Sequence, residues 1–157
     1  RRQRQMCIRD SNNVNVYVNA VCNINNEVEY VNEWGTFYSF EITFRCEPLK
    51  RKVNEPFINL NKGENTVINH GDEVSQPLIE IHSNGGDIEI NCGKNTLTIL
   101  DTNAGLLSLD NEMAVCTQDG RIQRTKGSWI KMLPGKNKIM VTGNIASIRM
   151  KIRSVFF

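Results

Sequence analysis

The sequence predicts an all-β protein whose larger part is an antiparallel β-sandwich. Three observations carry this. Apolar and polar residues alternate with a period of two through most segments, the pattern of half-buried strands. Gly, Asn and Asp clusters punctuate the chain roughly every eight to twelve residues, the spacing of a sandwich of short strands. No window of residues 66–157 keeps a 3.6-residue apolar period, so no helix there would have a face to bury.

The composition, 39% apolar and 23% charged over 157 residues, is that of a globular chain rather than a disordered one. No run approaches the roughly 18 consecutive apolar residues of a spanning helix, and no membrane insertion is expected. The first residues stand apart. Arg1-Arg2-Gln3-Arg4-Gln5-Met6-Cys7-Ile8-Arg9-Asp10-Ser11 resembles the translation of a transposase sequencing adapter read in one frame. Residues 1–11 are therefore set aside as adapter-derived, and the natural protein is expected to be cut short at its N-terminus. They carry +3 of charge, so a chain of net +2 leaves −1 on the remainder. With the basic excess gone, charge gives no argument for nucleic acid.

Residues 12–49 read as the truncated end of an N-terminal β-domain. Val14, Val16, Val18, Ala20 and Cys22 share a face against Asn15, Tyr17 and Asn19. Asn23 to Asn26 is a polar turn, Glu27 to Val31 a short strand, and Asn32-Glu33-Trp34-Gly35 a reversal. From Thr36 onward, Tyr38, Phe40, Ile42, Phe44 and Cys46 oppose Phe37, Ser39, Glu41, Thr43 and Arg45. Strands so patterned give a sheet with one apolar face that needs a cover. Pro48 ends that sheet because it cannot donate to a central ladder. Two prolines and the charged Lys50-Arg51-Lys52 place a solvated linker at 50–65.

Residues 66–157 read as the sandwich. Pro77 introduces a strand with Ile79 and Ile81 inward and Glu80 and His82 outward. Asn84-Gly85-Gly86 carries a strong hairpin signal. Ile88, Ile90 and Cys92 then point inward. Gly93-Lys94-Asn95 turns the chain into a strand carrying Leu97 and Ile99. Asn103-Ala104-Gly105 gives way to Leu106 to Leu109, Asp110-Asn111-Glu112 turns, and Met113 to Cys116 follows. Gln118-Asp119-Gly120 is another turn. Leu133-Pro134-Gly135-Lys136 is a good reversal, since Pro134 fixes its own φ and Gly135 accepts a positive one. Ile139 and Val141 then share a face against Lys138, Met140 and Thr142 until Gly143 and Asn144 close the strand. The last strand sets Ile148, Met150 and Ile152 against Arg149, Lys151 and Arg153.

Chemistry is sparse. With Cys7 set aside, Cys22, Cys46, Cys92 and Cys116 form no CxxC pair and match no zinc spacing. They read as small buried thiols of a protein made in a reducing compartment. The histidines are His70 and His82 alone, and no nucleophile elbow, P-loop, HExxH or EF-hand spacing occurs. No catalytic residue, metal or cofactor is expected, and the protein is not expected to be an enzyme. Asp110 and Glu112 read as a turn rather than a cation pair. Trp129 is the sharpest candidate. It either fills the core or an interface beside Leu133, or stacks a sugar ring with Arg121, Asn137, His82 and Glu80 as hydrogen-bonding partners.

Five segments in order carry a family resemblance. They are Phe40-Glu41-Ile42-Thr43-Phe44-Arg45-Cys46-Glu47-Pro48, then Asn69-His70-Gly71-Asp72-Glu73-Val74-Ser75-Gln76-Pro77 with the following Leu78-Ile79-Glu80-Ile81. Next come Leu107-Ser108-Leu109-Asp110-Asn111-Glu112 and Gly127-Ser128-Trp129 through Leu133-Pro134-Gly135-Lys136-Asn137-Lys138-Ile139. Ile148-Arg149-Met150-Lys151-Ile152-Arg153 completes them. Over residues 12–157 the chain resembles the distal tail proteins of long-tailed, siphovirus-type phages.

The resemblance implies an N-terminal β-domain that builds a six-membered ring continuing the tail tube, and a galectin-like β-sandwich projecting outward. It implies a non-enzymatic baseplate hub of the virion tail, assembled in the bacterial host cytoplasm and encoded by a phage or prophage. Its partners would be the tail tube, the tail-associated hub and the receptor-binding protein. The alternative is a carbohydrate-binding module that attaches to cell-wall sugars through Trp129, Arg121 and Asn137. A hydrolase accessory domain is a third reading with only fold analogy behind it.

Overall fold

The computed structural model describes residues 5–9, 15–23, 31–33, 37–39 and 43–157, and every helix-or-strand element among them is a strand. The chain divides into two compact units, Arg1–Val53 and Asn54–Phe157.

In the first unit the strands are Gln5–Arg9 (β1), Val16–Asn23 (β2), Val31–Glu33 (β3), Phe37–Ser39 (β4), Thr43–Cys46 (β5) and Lys50–Lys52 (β6). β2 pairs antiparallel with β1, β5 and β6, and β3 pairs with β4. Val16 and Ala20 are buried, on the face that the alternation assigns to the core. The adapter-like segment contributes β1, pairing Gln5 with Val21 through Arg9 with Tyr17. Ladder bonds are made by backbone, so an open strand edge accepts extended segments with little regard to side chains. β5 is exposed along its length. Cys46 is therefore not the buried thiol its phase suggested, and Phe44 on the same face is 37% exposed. Phase selects a face, and burial also needs something packed on it. The strand expected at Glu27 to Val31, apart from Val31, and the inward Phe40 and Ile42 lie outside the described residues.

The segment 50–65, expected as a linker, carries strands instead. Lys52 pairs with Val16 and Arg51 with Tyr17 in the first unit. Ile58–Leu60 (β7) and Gly63–Asn69 (β8) belong to the second, which begins at Asn54 rather than at residue 66. Charge was a poor guide because a strand can pack the stems of Lys and Arg while their heads stay in water, and Lys50 and Arg51 are half-buried.

The second unit is built on three long strands, Leu78–Cys92 (β9), Asn95–Asp110 (β10) and Gly135–Lys151 (β14). Between β10 and β14 come Val115–Gln118 (β11), Arg121–Ile122 (β12) and Thr125–Gly127 (β13), and Val155–Phe156 (β15) ends the chain. β9 is central, flanked by β10 and β14. The sequence suggested turns at Asn84-Gly85-Gly86, Asn103-Ala104-Gly105 and Gly143-Asn144. Each is instead a bend inside a continuous strand. Gly85, Gly86, Gly105 and Gly143 all have positive φ, from 90° to 144°, so each does redirect the backbone. Cross-strand pairing decides whether that yields a hairpin or a bulge. Here the strands stay paired across the bends, with Thr102 opposite Gly86 and Gly143 opposite Ile88. Register shifts fall at the same level in both ladders, between Ile99 and Thr102 and between Gly143 and Ser147.

The aligned bends turn one sheet into two layers. On one side of the line the central strands pair with β7 and β11, and on the other with β8 and β13. The bends of β9 and β14 also reset side-chain phase, whereas β10 buries Leu97, Ile99, Leu107 and Leu109 at odd positions on both sides of its bend. In β9, Ile79 and Ile81 precede the bend at odd positions, and Ile88, Ile90 and Cys92 follow at even ones. Ile139 and Val141 give way to Ile148 and Met150 in the same manner. All are buried in one apolar cluster. Two buried hydroxyls tie the bend together. Thr102 Oγ1 donates to Gly86 O at 2.5 Å and accepts from Ser83 Oγ at 2.7 Å, while Gly85 N donates to Ser83 Oγ at 2.9 Å. A hydroxyl has one proton, which fixes the direction of the Ser83–Thr102 bond.

The bend predicts a sharp contrast between glycines. A Cβ on Gly143 would stand 2.8 Å from Asp87 O and 3.0 Å from Ile88 Cα, whereas one on Gly93 in the β9–β10 turn meets open space. Gly143→Ala should cost about 2–4 kcal/mol through strain and overlap. Gly93→Ala should cost only about 1–2 kcal/mol for its left-handed backbone. Urea unfolding of the two variants checks this, and equal losses would contradict a close-packed bend.

Candidate functional site

The stretch from Gly127 to Gly143 shows how the Trp129 region is held. Gly127 has φ +108°, and a Cβ there would lie 2.2 Å from Thr96 O, so only glycine brings the chain this close to β10. Ser128 N then donates to Thr96 O at 2.8 Å. Asn111, 1% exposed, accepts from Ile130 N at 2.8 Å and donates to Pro77 O at 2.8 Å. Met132 and Ser75 exchange two backbone bonds of 2.9 Å. These anchors bury Ile130 and Met132 completely and leave Trp129 half-buried, packed against the core. Leu133, expected beside it in the core, is 63% exposed.

Asn137 is committed to the Pro134-Gly135 turn. Its Oδ1 accepts from Leu133 N at 3.0 Å, and its Nδ2 donates to Leu133 O at 2.8 Å and Gly135 O at 2.9 Å. Both amide protons are occupied and the residue is buried. Asn65 repeats this arrangement at the start of β8, bracketing Asn61 and Gly63. Gly-x-Asn is thus a strand-opening device in this chain, used in β8 and in its neighbour β14.

The remaining candidates lie elsewhere. Glu80 and His82 face outward from β9 and line a shallow cavity of about 270 Å³ with Asn59, Ser147 and Arg149. Arg149 Nε donates to Glu80 Oε2 at 2.6 Å, and its guanidinium lies 4.8 Å from the centre of the Phe57 ring. Arg121 lines a second cavity, of about 360 Å³, with Asn103, Gln118, Asp119 and Gln123. Neither Trp129 nor Asn137 lines it, so the three residues singled out for sugar binding share no cavity there. His70 is exposed beside Gly71. Asn103, Asp119, Gln118 and Gln123 were missed as site residues, and the Asp119-Gly120 turn was the one signal pointing to them.

Asp110 and Glu112 hold an arginine between them. Asp110 Oδ1 accepts the amides of Glu112 and Met113 at 3.0 Å each, which is the turn expected from the sequence. Arg153 then donates to both Asp110 oxygens at 2.7 and 2.8 Å and reaches Glu112 at 3.3 Å. Hydrogen bonding from Arg153 holds the Asp110 carboxyl below its ordinary value of 3.8. Burial pushes the Cys92 thiol up, and that of Cys116 to about 11, so both stay protonated and unreactive at neutral pH. Among the described residues no group of three or more His, Cys, Asp or Glu side chains is placed to hold a metal ion.

The fold and these sites define a two-unit all-β protein whose larger unit is an antiparallel β-sandwich, with its polar side chains engaged in turns, ion pairs and shallow cavities. No family model matches the chain, and no curated protein matches it. Among solved structures it is similar to the Dit protein (gp 19.1) of phage SPP1, described as a paradigm of the hub adsorption apparatus in phages infecting Gram-positive hosts. The match has a TM-score of 0.72 at 16% identity and covers 100% of this chain and 67% of that one. What the two share at that identity is the fold, so this chain has a phage distal-tail-like fold.

The Asp110–Arg153 pair generates a pH prediction. A carboxylate with a lowered folded pKa adds stability above its unfolded value and loses it as pH falls through the folded one. Asp110→Asn should therefore be less stable than the parent chain near neutral pH, with the gap closing as pH falls below the ordinary carboxyl value of 3.8 and through the lowered folded one. Denaturant titrations across that range read it, and a gap that stayed constant with pH would contradict the assignment.

Proposed function

We propose that this chain is a structural, non-catalytic component of a phage or prophage tail, a distal tail protein that joins the tail tube to the host-adsorption apparatus. The observation that carries the reading is the match to Dit along the whole of this chain, at a TM-score of 0.72. The ordered segments from Phe40 to Arg153 that resemble distal tail proteins point the same way. In this reading the protein sits in the virion tail, after assembly in the bacterial cytoplasm, and contacts the tail tube, a tail-associated hub and a receptor-binding protein.

The first unit has surface suited to assembly. A closed ring is made by heterologous interfaces, in which one patch meets a different patch on the next copy. β5 offers exposed Phe44 and Cys46 for such a contact. The sugar-binding alternative gains no comparable support, because Trp129 packs on the core and the Asn137 amide is occupied in its turn.

Expressed from its full-length gene, the protein should form six-membered rings, seen by light scattering as one oligomer and by electron microscopy as annular particles. Monomers at every concentration would contradict the hub reading.

A further inference from the structure

We propose that the cavity beside the β11–β12 hairpin is a binding site for a neutral saccharide unit of the hexopyranose type. The site is framed by rigid backbone. Asp119 and Gly120 join β11 to β12 with φ of +51° and +76°, the values of a two-residue type I′ turn, and Gln118 and Arg121 form the closing pair. Gln118 lies opposite Leu107, and Leu107 opposite Ile81. The inward row of the sheet thus ends in a polar rim, with Gln118 6% exposed and Arg121 fully outside.

The two glutamines hold the bend of β10 in place. Gln118 Nε2 donates to Asn103 O at 2.8 Å and Gln118 Oε1 accepts from Asn103 N at 3.2 Å. Gln123 Nε2 donates to Leu100 O and to Asp101 O. Gly105 adopts a φ of +144° beside them, and a Cβ there would make ordinary contact with Gln118 Nε2 at 3.5 Å and Asp119 Oδ2 at 3.6 Å. Among the described residues, the frame leaves the Asn103 carboxamide, the Asp119 carboxylate and the Arg121 guanidinium without hydrogen bonds or ion pairs. In the other cavity the acid and the base do meet, with Glu80 and Arg149 2.6 Å apart. Asp119 and Arg121 line the same cavity of about 360 Å³ and do not meet.

An occupant bridging these groups must donate to a carboxylate and accept from a guanidinium while bringing no net charge. Vicinal hydroxyls do both, and a further hydroxyl suits the two-way carboxamide of Asn103. An anion would face Asp119, and a cation would face Arg121. An amino-acid zwitterion matches the charges, but its carbon side chain would meet the polar groups of all five lining residues. The proposal does not rest on the tail-hub reading, and ring assembly is indifferent to its outcome.

The test is an amide NMR titration of the full chain with the methyl glycosides of glucose, galactose and N-acetylglucosamine, and with alanine as a zwitterionic probe. At least one glycoside should give saturable, millimolar shifts centred on the amides of Asn103 and residues 118–123. Asp119→Asn and Arg121→Ala should each weaken binding about tenfold or more, through loss of a charge-assisted hydrogen bond, with thermal unfolding unchanged. Glu64→Ala should bind as the parent does. The proposal is overturned if no glycoside gives saturable shifts, or if the shifts centre on Glu80 and His82. It is equally overturned if alanine alone binds, or if both cavity variants bind undiminished.

Discussion

The second unit depends on three backbone bends falling at one level of a sheet. A straight strand of fifteen residues spans about 50 Å, far longer than the core of a unit this size. A flat sheet of such strands would leave one apolar face in water. The glycines of β9, β10 and β14 bend the strands together, and the apolar faces of the two halves close on one another. A bend in one strand alone would break its ladders. At the bend the buried Ser83 and Thr102 satisfy backbone that the bulges release.

This constraint determines which polar groups are left for function. Asn65, Asn111 and Asn137 serve turns, and Arg153 is held by two carboxylates, so much of the conspicuous polar chemistry is architectural. Asn103, Asp119 and Arg121, without partners among the described residues, lie together at the β11–β12 hairpin.

Strand phase in the second unit was legible in the sequence. Ile79, Ile81, Ile88, Ile90, Leu97, Ile99, Ile139, Val141, Ile148 and Met150 were all assigned inward, and all are buried. Connectivity was less legible. Asn84-Gly85-Gly86 announces a change of direction, but a hairpin and a bulge share that signal, and only the pairing partner distinguishes them. Lys50-Arg51-Lys52 announces solvent, which the charged heads of a half-buried strand also reach. Cys46 has the phase of a core residue on a strand that nothing described covers. The sites were harder still. Asn137 looked available because a sequence does not show that its amide closes on Leu133 and Gly135. The value of Asp119 and Arg121 rests on the position of Asn103, which the bend in β10 supplies from outside their local sequence.

The central claim, a place at the end of a phage tail, is tested most directly by locating the protein in a particle. Antibodies raised against residues 54–157 and tagged with gold can be imaged on tailed particles encoded with this gene. The account predicts label confined to the distal tail, at the junction of tube and adsorption apparatus. Label on the capsid or along the whole tube, or particles that carry none, would contradict it.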